Sequence, residues 1–92
     1  MQKYYIYIGS NNETHQLEKE KAEQVISKYF EGFTAYEVIG YWRGAQERTL
    51  KVEIASEEAS VKVIRLCKEL KAALNQEAIM LEQVHSNVAF IQ

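Results

Sequence analysis

The sequence contains no proline and a single cysteine. Without proline nothing forces a kink into a helix or removes a hydrogen bond from a central strand, which fits a compact chain with short connections. Cys67 has no second cysteine to pair with, so an internal disulfide is excluded. Residues 1–13, MQKYYIYIGSNNE, show neither a basic leader nor an apolar signal core. These features predict a cytoplasmic protein.

The sequence also lacks an excess of charge and any long apolar run. Eleven basic and thirteen acidic residues give a formal net charge of -2, which argues against nucleic acid or an anionic membrane surface as the partner. No apolar run approaches the roughly 18 residues that a membrane-spanning helix needs. The 92 residues are nevertheless 47% hydrophobic and 11% aromatic. This predicts a single domain, residues 1–92, whose small core favours association with copies of itself.

Alternation of apolar and polar residues predicts the strands. Lys3–Gly9 places Tyr4, Ile6 and Ile8 on one side and Tyr5 and Tyr7 on the other. Two more strands are predicted at Phe33–Trp42 and Arg48–Ala55, and the five residues between them favour an antiparallel hairpin. The tail, residues 78–92, returns to a strand pattern. Within it, His85, Ser86 and Asn87 mark either a bulge or a turn.

Polar cap residues followed by apolar stripes predict two helices. The first begins at Ser10–Thr14, where Ser10 and Glu13 have capping-box spacing, and ends at Gly32. The second begins at Ser56 and runs to Leu74, after which Asn75 takes a left-handed conformation. The inward residues are Leu17, Ala22, Val25, Ile26, Tyr29 and Phe30 in the first helix and Val63, Leu66, Cys67, Leu70 and Leu74 in the second.

The element order strand, helix, strand, strand, helix, strand indicates an α+β protein. Right-handed crossovers favour a ferredoxin-like split βαβ sandwich (βαββαβ), with an antiparallel sheet and two helices on one face. In this topology one end of the sheet gathers three connections: first strand to first helix, the central hairpin, and second helix to last strand. We therefore expect function at that end.

The hairpin end collects the residues that predict ligand binding. A helix N-terminus attracts anions, Arg43 offers a planar cation, and Trp42 offers a face for a flat ring. The candidate ligand-binding residues are Ser10, Asn11, Asn12, Tyr41, Trp42, Arg43, Glu47, Arg48 and Gln76. The alternative is structural: Trp42 fastens the hairpin to the sheet, and Arg43 lies in solvent or against Glu47.

Several short motifs resemble a family of small bacterial α/β proteins of unknown function. They are Gly32-Phe33-Thr34, then Gly40 and Trp42, then Glu47, and finally Gln76-Glu77-Ala78 before an aliphatic strand. The resemblance spans most of the chain and implies a ferredoxin-like fold without an assigned chemistry. The loop after Trp42 is shorter here than in the family pattern.

The sheet face without helices is the second candidate surface. Tyr5, Tyr7 and Lys51 would lie on it, and so many rings favour an interface between copies. RNA stacking is the alternative, but RTLKVEIA, residues 48–55, lacks the aromatic RNA-binding signature. A third hypothesis is a small dimeric α/β-barrel enzyme whose two sheets enclose a cavity lined by Tyr5, Tyr7, Lys51 and His85.

The inventory of catalytic groups is sparse. Cys67 lies on an inward helical stripe, where cysteine acts as a small hydrophobe. His15 is expected near the first helical turn and in solvent, and His85 has no second ligand at metal spacing, so neither a metal site nor a cofactor is predicted. The leading hypothesis is a non-catalytic homo-oligomer that senses or sequesters an aromatic, anionic, nucleotide-like ligand. Its rivals are a protein-interaction module that uses the exposed sheet face, and the dimeric enzyme.

Overall fold

Strands and helices alternate along the chain in the predicted order. A computed structural model describes residues 1–58 and 60–92. The elements are β1 (Gln2–Ile8), α1 (Lys19–Ser27), β2 (Thr34–Trp42), β3 (Ala45–Ser56), α2 (Ser60–Ala73) and β4 (Met80–His85). The sheet order is β2-β3-β1-β4, with antiparallel neighbours throughout. This is the ferredoxin-like arrangement that the sequence predicts.

The core lies between the helices and one face of the sheet. Alternation places Tyr4, Ile6 and Ile8 of β1 in it, with each side chain at most 1% exposed. The remaining buried apolar residues come from β3, both helices and the segments that follow them: Ala22, Val25, Ile26, Phe30, Leu50, Val52, Ile54, Val63, Leu66, Leu70 and Leu74. Burial of each large apolar side chain contributes about 1.5–3 kcal/mol. The predicted inward stripes are therefore confirmed, although Leu17, Tyr29 and Cys67 are only partly buried.

Helix α1 begins later than predicted. The Asn11 side-chain oxygen accepts hydrogen bonds from the amides of Glu13 at 2.8 Å and Thr14 at 3.2 Å. These bonds close an Asx turn, in which the polar side chain holds a loop instead of capping a helix. His15 follows with φ of 61°, which turns the chain away from the helical path. Residues 10–18 consequently form a connection, and the predicted helix N-terminus at Ser10 is wrong.

The three other predicted caps, at Gly32, Asn75 and Ser56, have different outcomes. Gly32 lies outside the left-handed region and does not stop α1, which ends with backbone bonds from the amides of Tyr29 and Phe30 to the carbonyl of Ile26. Asn75 has φ of 51°, as predicted after the second helix. Ser56 accepts a bond from the Glu58 amide at 2.9 Å and so orders the approach to α2 without capping it directly.

The β2–β3 hairpin turns through two residues instead of five. Arg43 and Gly44 both have positive φ, at 52° and 79°, as the two-residue type I′ turn requires. Residues 45–47 therefore belong to β3, and pairing continues to Trp42↔Ala45. Because β1 pairs with β3 only as far as Ile8↔Leu50, residues 39–48 project past β1. We call this projection the hairpin arm.

The last strand is a single element. β4 pairs with β1 from Tyr7↔Met80 to Gln2↔His85. It ends at His85, so the two interpretations of residues 85–87, a bulge or a turn within a longer strand, are both replaced by the end of the strand. Residues 86–92 have no regular secondary structure, and Phe90 and Ile91 are largely exposed.

Candidate functional site

Three connections meet at the hairpin end of the sheet. The Asn12 amide donates to the Asn75 carbonyl at 3.1 Å, which joins the β1–α1 and α2–β4 connections. The Gln76 side chain accepts from the Gly9 amide at 3.1 Å and donates to the Ser10 carbonyl at 2.8 Å. The Ser10 hydroxyl reaches the Arg48 carbonyl of β3 at 3.1 Å. Side chains far apart in sequence are thus held together in a fixed arrangement.

A cleft of about 420 Å³ opens between the β1–α1 connection and the hairpin arm. We call it the hairpin cleft. Its lining residues are Ser10, Asn11, Asn12, His15, Trp42, Ala45, Gln46, Glu47 and Arg48. Six of the nine predicted ligand-binding residues are among them. Tyr41, Arg43 and Gln76 are not.

Each of those three residues has a different position in the fold. Tyr41 alternates with Trp42 along β2, so its side chain points to the opposite side of the sheet, where it is 72% exposed. Gln76 binds the backbone of Gly9 and Ser10 beneath the cleft. Arg43 pairs with Glu77 at 3.2 Å and its side chain is largely exposed, so the alternative that places it in solvent is confirmed and the alternative that pairs it with Glu47 is wrong.

Trp42 is both anchored and accessible. Its indole nitrogen donates to a Glu77 oxygen at 3.1 Å, and the Arg43 guanidinium lies 5.7 Å from the ring centre. The hairpin is therefore fastened to the α2–β4 connection, as the structural alternative expects. The ring is nevertheless 50% exposed and forms part of the cleft wall. Since anchoring fixes its position, the exposed face is a preformed surface for a flat group.

Glu47 places a negative charge where the sequence predicts an anion-binding site. Its carboxylate accepts the Ser10 amide at 3.1 Å, and a β-carbon on Gly9 would lie 2.7 Å from a Glu47 oxygen. Glycine at position 9 therefore makes room for the carboxylate. Because the chain's own anion holds the backbone donor, the predicted anion site at a helix N-terminus is not formed. The cationic group of the cleft is Arg48, which also pairs with Glu37 of the neighbouring strand.

His15 is the cleft residue that the sequence interpretation places incorrectly. It was expected in or near the first helical turn and in solvent; it is exposed as expected, but it lies in the β1–α1 connection with a positive φ and lines the cleft. A non-glycine residue in this conformation costs free energy that the surrounding structure must offset. The consecutive asparagines 11 and 12 are a signal for this loop, because asparagine favours Asx turns as well as helix caps.

The predicted interface residues form one cluster on the open face, the side of the sheet that the helices do not cover. The Lys51 ammonium lies 4.6 Å from the Tyr5 ring centre, 5.4 Å from Tyr7 and 5.9 Å from Tyr36. His85 does not join them, because it pairs with Gln2, whose side chain alternates to the helix side. This corrects its predicted place in an enzyme cavity.

Acidic groups complete the open face. Glu53 pairs with Lys3 at 3.2 Å. A hydrogen bond from Tyr36, and then the Lys3 ammonium, outweigh desolvation and hold the pKa of the Glu53 carboxyl below its ordinary value. Tyr7 donates to Glu82 at 3.2 Å. The face is a network of aromatic rings and paired charges.

The described residues contain few reactive groups. Burial raises the pKa of the Cys67 thiol to about 11, so the nucleophilic thiolate is scarce at neutral pH. Within residues 1–58 and 60–92, no three His, Cys, Asp or Glu side chains cluster closely enough to hold a metal ion. No helix of the described part is both long and apolar enough to cross a membrane.

Comparison with solved structures places the chain among ferredoxin-like proteins. A phage SAM lyase in its apo state has a TM-score of 0.66 and 18% identity, and the match covers 90% of this chain and 78% of that one. A DUF3240 family protein from Shewanella baltica OS155 has a TM-score of 0.64 and 13% identity, with 98% and 97% covered. A Bacillus subtilis GlnK–ATP complex has a TM-score of 0.51 and 19% identity, with 90% and 82% covered.

Comparison at the sequence level gives no relatives. No family model and no curated protein matches the chain. At these identities the structural likenesses establish the fold alone. The chain is a small α+β protein of the ferredoxin-like βαββαβ class.

Proposed function

We propose that this chain is a non-catalytic small-molecule-binding protein that holds a flat-ringed, anionic, nucleotide-like ligand in the hairpin cleft. The observation that carries the proposal is the half-exposed Trp42 indole in the wall of a 420 Å³ cleft, facing a polar loop. Ligand sites are typically concave, with volumes of about 300–1,000 Å³, and combine apolar walls with a few fixed polar groups. The hairpin cleft has a volume in this range, with Trp42 as its one large apolar wall and mainly polar groups around it.

The side chains of the cleft suggest separate roles. Trp42 offers the stacking surface, and Asn12 and Gln46 offer amide groups that both donate and accept. Arg48 supplies a planar cation for a phosphate or carboxylate. Glu47 repels anions, so the charged end of the ligand should bind nearer to Arg48 than to Ser10.

Two of the fold neighbours guide the choice of probes. One is named as a SAM lyase and the other was solved with ATP. Both names support testing adenosine-containing compounds first. The likeness is one of fold, and the proposal rests on the cleft.

Trp42 makes the proposal directly testable, because it is the only tryptophan. We expect ATP, AMP or SAM to change its fluorescence saturably and to raise the melting temperature by mass action. In thermal-shift assays Trp42→Ala should weaken binding at least tenfold, whereas Trp42→Phe should keep most of it. Ligand recovered after incubation should be chemically unchanged.

Two arginines provide a matched control. Arg48→Ala should weaken binding of ATP or AMP, because Arg48 lines the cleft. Arg43→Ala should weaken it less, because Arg43 lies outside the cleft lining. Absence of any response to ATP, AMP and SAM in the wild-type protein would overturn the proposal, as would equal effects of the two arginine variants.

We further propose that copies of the chain associate, which also serves the alternative function of a protein-interaction module. On the hairpin arm Ile39 is 61% exposed and Tyr41 is 72% exposed. Both belong to β2, an edge strand of the sheet. Exposed apolar edge strands are templates for pairing with another chain.

The assembly is tested by native mass spectrometry and size-exclusion chromatography. We expect an oligomer that the charge-introducing double substitution Ile39→Lys and Tyr41→Lys converts to monomer. A wild-type protein that remains monomeric at tens of micromolar concentration would contradict self-association. If that monomer also captured no partner, the interaction-module alternative would fail, while ligand binding would stand or fall on the Trp42 experiment.

A further inference from the structure

A second cleft adjoins the hairpin cleft on the open face. It measures about 320 Å³ and is lined mainly by Tyr7, Val38, Gly40, Trp42, Thr49 and Met80. Met80 is 58% exposed, and Thr49 is buried to 7%. We call this the face cleft. It is walled by apolar and aromatic groups, in contrast to the amide, imidazole and guanidinium groups of the hairpin cleft.

Gly40 and Thr49 lie against each other in the lining of the face cleft. Gly40 occupies the position between Val38 and Trp42 on the open side of β2. A β-carbon there would lie 2.5 Å from the Thr49 hydroxyl oxygen, so a side chain at this position would force a shift. Glycine at position 40 therefore makes room for the Thr49 hydroxyl, and both residues line the face cleft together with Trp42, Tyr7 of β1 and Met80 of β4. Two aromatic side chains and a methionine form a surface that suits a flat ring.

The two clefts share walls. Trp42 and Glu47 line both of them. A molecule that occupies both must therefore pass beside the indole, with one part on the sheet face and the other among the polar groups of the loop. An apolar face cleft next to a polar hairpin cleft favours ligands made of two chemically different parts.

From this juxtaposition we propose that the hairpin and face clefts form one bipartite site. The aromatic ring of the ligand lies in the face cleft, between Trp42 and Met80, and its charged group lies in the hairpin cleft near Arg48. The ligand class is a nucleoside that carries a phosphate or another charged group on a short linker. This inference rests on the proposed function and adds to it the location of the ring.

The bipartite site has a consequence for assembly. A ring in the face cleft needs this end of the open face to be uncovered. Sheet-to-sheet pairing over Trp42 and Met80 would block it, so copies that bind ligand must associate through a surface that leaves the face cleft open.

The test compares AMP with ribose 5-phosphate, which keeps the charged group and lacks the base. Both affinities are measured by isothermal titration calorimetry, which also serves the variant that lacks Trp42. We expect the wild-type protein to bind AMP about tenfold or more tightly than ribose 5-phosphate, since stacking of an aromatic pair and burial of a ring together exceed the roughly 1.4 kcal/mol that a tenfold change represents. Val38→Gln and Met80→Gln should each weaken AMP binding about three- to tenfold. The double variant should bind AMP and ribose 5-phosphate within about twofold of each other.

Val84→Gln is the matched control, because Val84 is also exposed on the open face but lies beside Lys3, near the far end of β4. It should leave both affinities unchanged. If the Val38 and Met80 variants keep the preference for AMP while Trp42→Ala loses it, the ring binds on the hairpin side and the inference is overturned, although the proposed function survives. If the wild-type protein binds AMP no better than ribose 5-phosphate, the face cleft holds no ring. If it binds neither probe, the proposed function fails as well.

Discussion

The positions of single side chains decide which groups of this chain are available for chemistry. Cys67, on α2, packs partly against the core, whereas Trp42 is fixed by one hydrogen bond and keeps half of its surface exposed. Both residues are unique in the sequence. The thiol of Cys67 is shielded by the core, whereas the indole of Trp42 is accessible to a ligand.

Cys67 should react slowly with thiol reagents. With a pKa of about 11, only about one thiol in a thousand is ionised at pH 8, compared with roughly a quarter of a free cysteine of pKa about 8.5. We expect the folded protein to react with Ellman's reagent at least a hundredfold more slowly than glutathione, and at an ordinary rate in urea. Fast labelling of the folded protein would contradict the burial.

Gly44 should be required for the hairpin turn. Its φ of 79° is costly for any residue with a side chain. We expect Gly44→Ala to lower the free energy of unfolding by about 1 kcal/mol in urea titrations. Gly32→Ala is the control: it lies outside the left-handed region and has no atom within 4 Å of the added carbon. Equal losses for both variants would show that the turn conformation is not the cause.

At the scale of elements, α1 and α2 are joined by a small charged network. Lys28 and Tyr29 directly follow α1, and both bind the Glu69 carboxylate of α2, Tyr29 with its hydroxyl at 2.7 Å. The Lys28 ammonium and then the Tyr29 hydroxyl hold the pKa of Glu69 below its ordinary value. The helices are thus linked at their surface as well as through the core.

This link should depend on pH. A carboxyl whose pKa is lower in the folded state stabilises the fold above its unfolded value of about 4.3, and the contribution is lost as pH falls through the folded value. We therefore expect Glu69→Gln to lower the melting temperature at pH 6–7, with the difference from wild type shrinking as pH falls below the unfolded value of about 4.3. Glu20→Gln, which changes an exposed carboxylate of α1, should show a smaller effect. A difference that stays constant as the pH is lowered would contradict the ionic origin.

The stability of the whole molecule depends on the buried layer between sheet and helices. Leu70 is fully buried, whereas Ile91 is 92% exposed. We expect Leu70→Ala to lower the free energy of unfolding by about 2–5 kcal/mol, because it removes buried surface and leaves a cavity. Ile91→Ala should change it by less than about 0.5 kcal/mol in the isolated chain. A larger, concentration-dependent effect of Ile91→Ala would instead reveal a contact between copies.

The sequence predicts the sheet better than its connections, for a physical reason. Strand faces follow from a period of two, so Tyr4, Ile6 and Ile8 could be assigned to the core from their spacing alone. The polar residues after β1 are ambiguous, because Asn11 can either cap a helix or close an Asx turn. Only the folded chain shows that the turn forms.

The sequence predicts where the candidate site lies, but not every side chain that lines it. Topology alone brings Ser10–Asn12 to the hairpin, so their meeting could be foreseen. Arg43 could not be assigned, because its partner Glu77 is distant in sequence and is placed by the α2–β4 connection. Tyr41 was predicted as a ligand-binding residue together with Trp42. Adjacent residues of a strand point to opposite faces, however, so the two side chains do not lie on the same side of the sheet.

The sheet order has a consequence for how the chain folds as it is made. β1 is the first strand to be synthesised, yet it lies inside the sheet, and its partners are β3 and β4. As the chain emerges from the ribosome, β1 cannot pair with β3 until residues 45–56 are synthesised. It cannot pair with β4 until residues 80–85 are synthesised. The β2–β3 hairpin, whose contacts are local, can form earlier. Nascent chains arrested before Met80 should therefore expose one unpaired edge of β1, KYYIYI, and be the species most prone to aggregate.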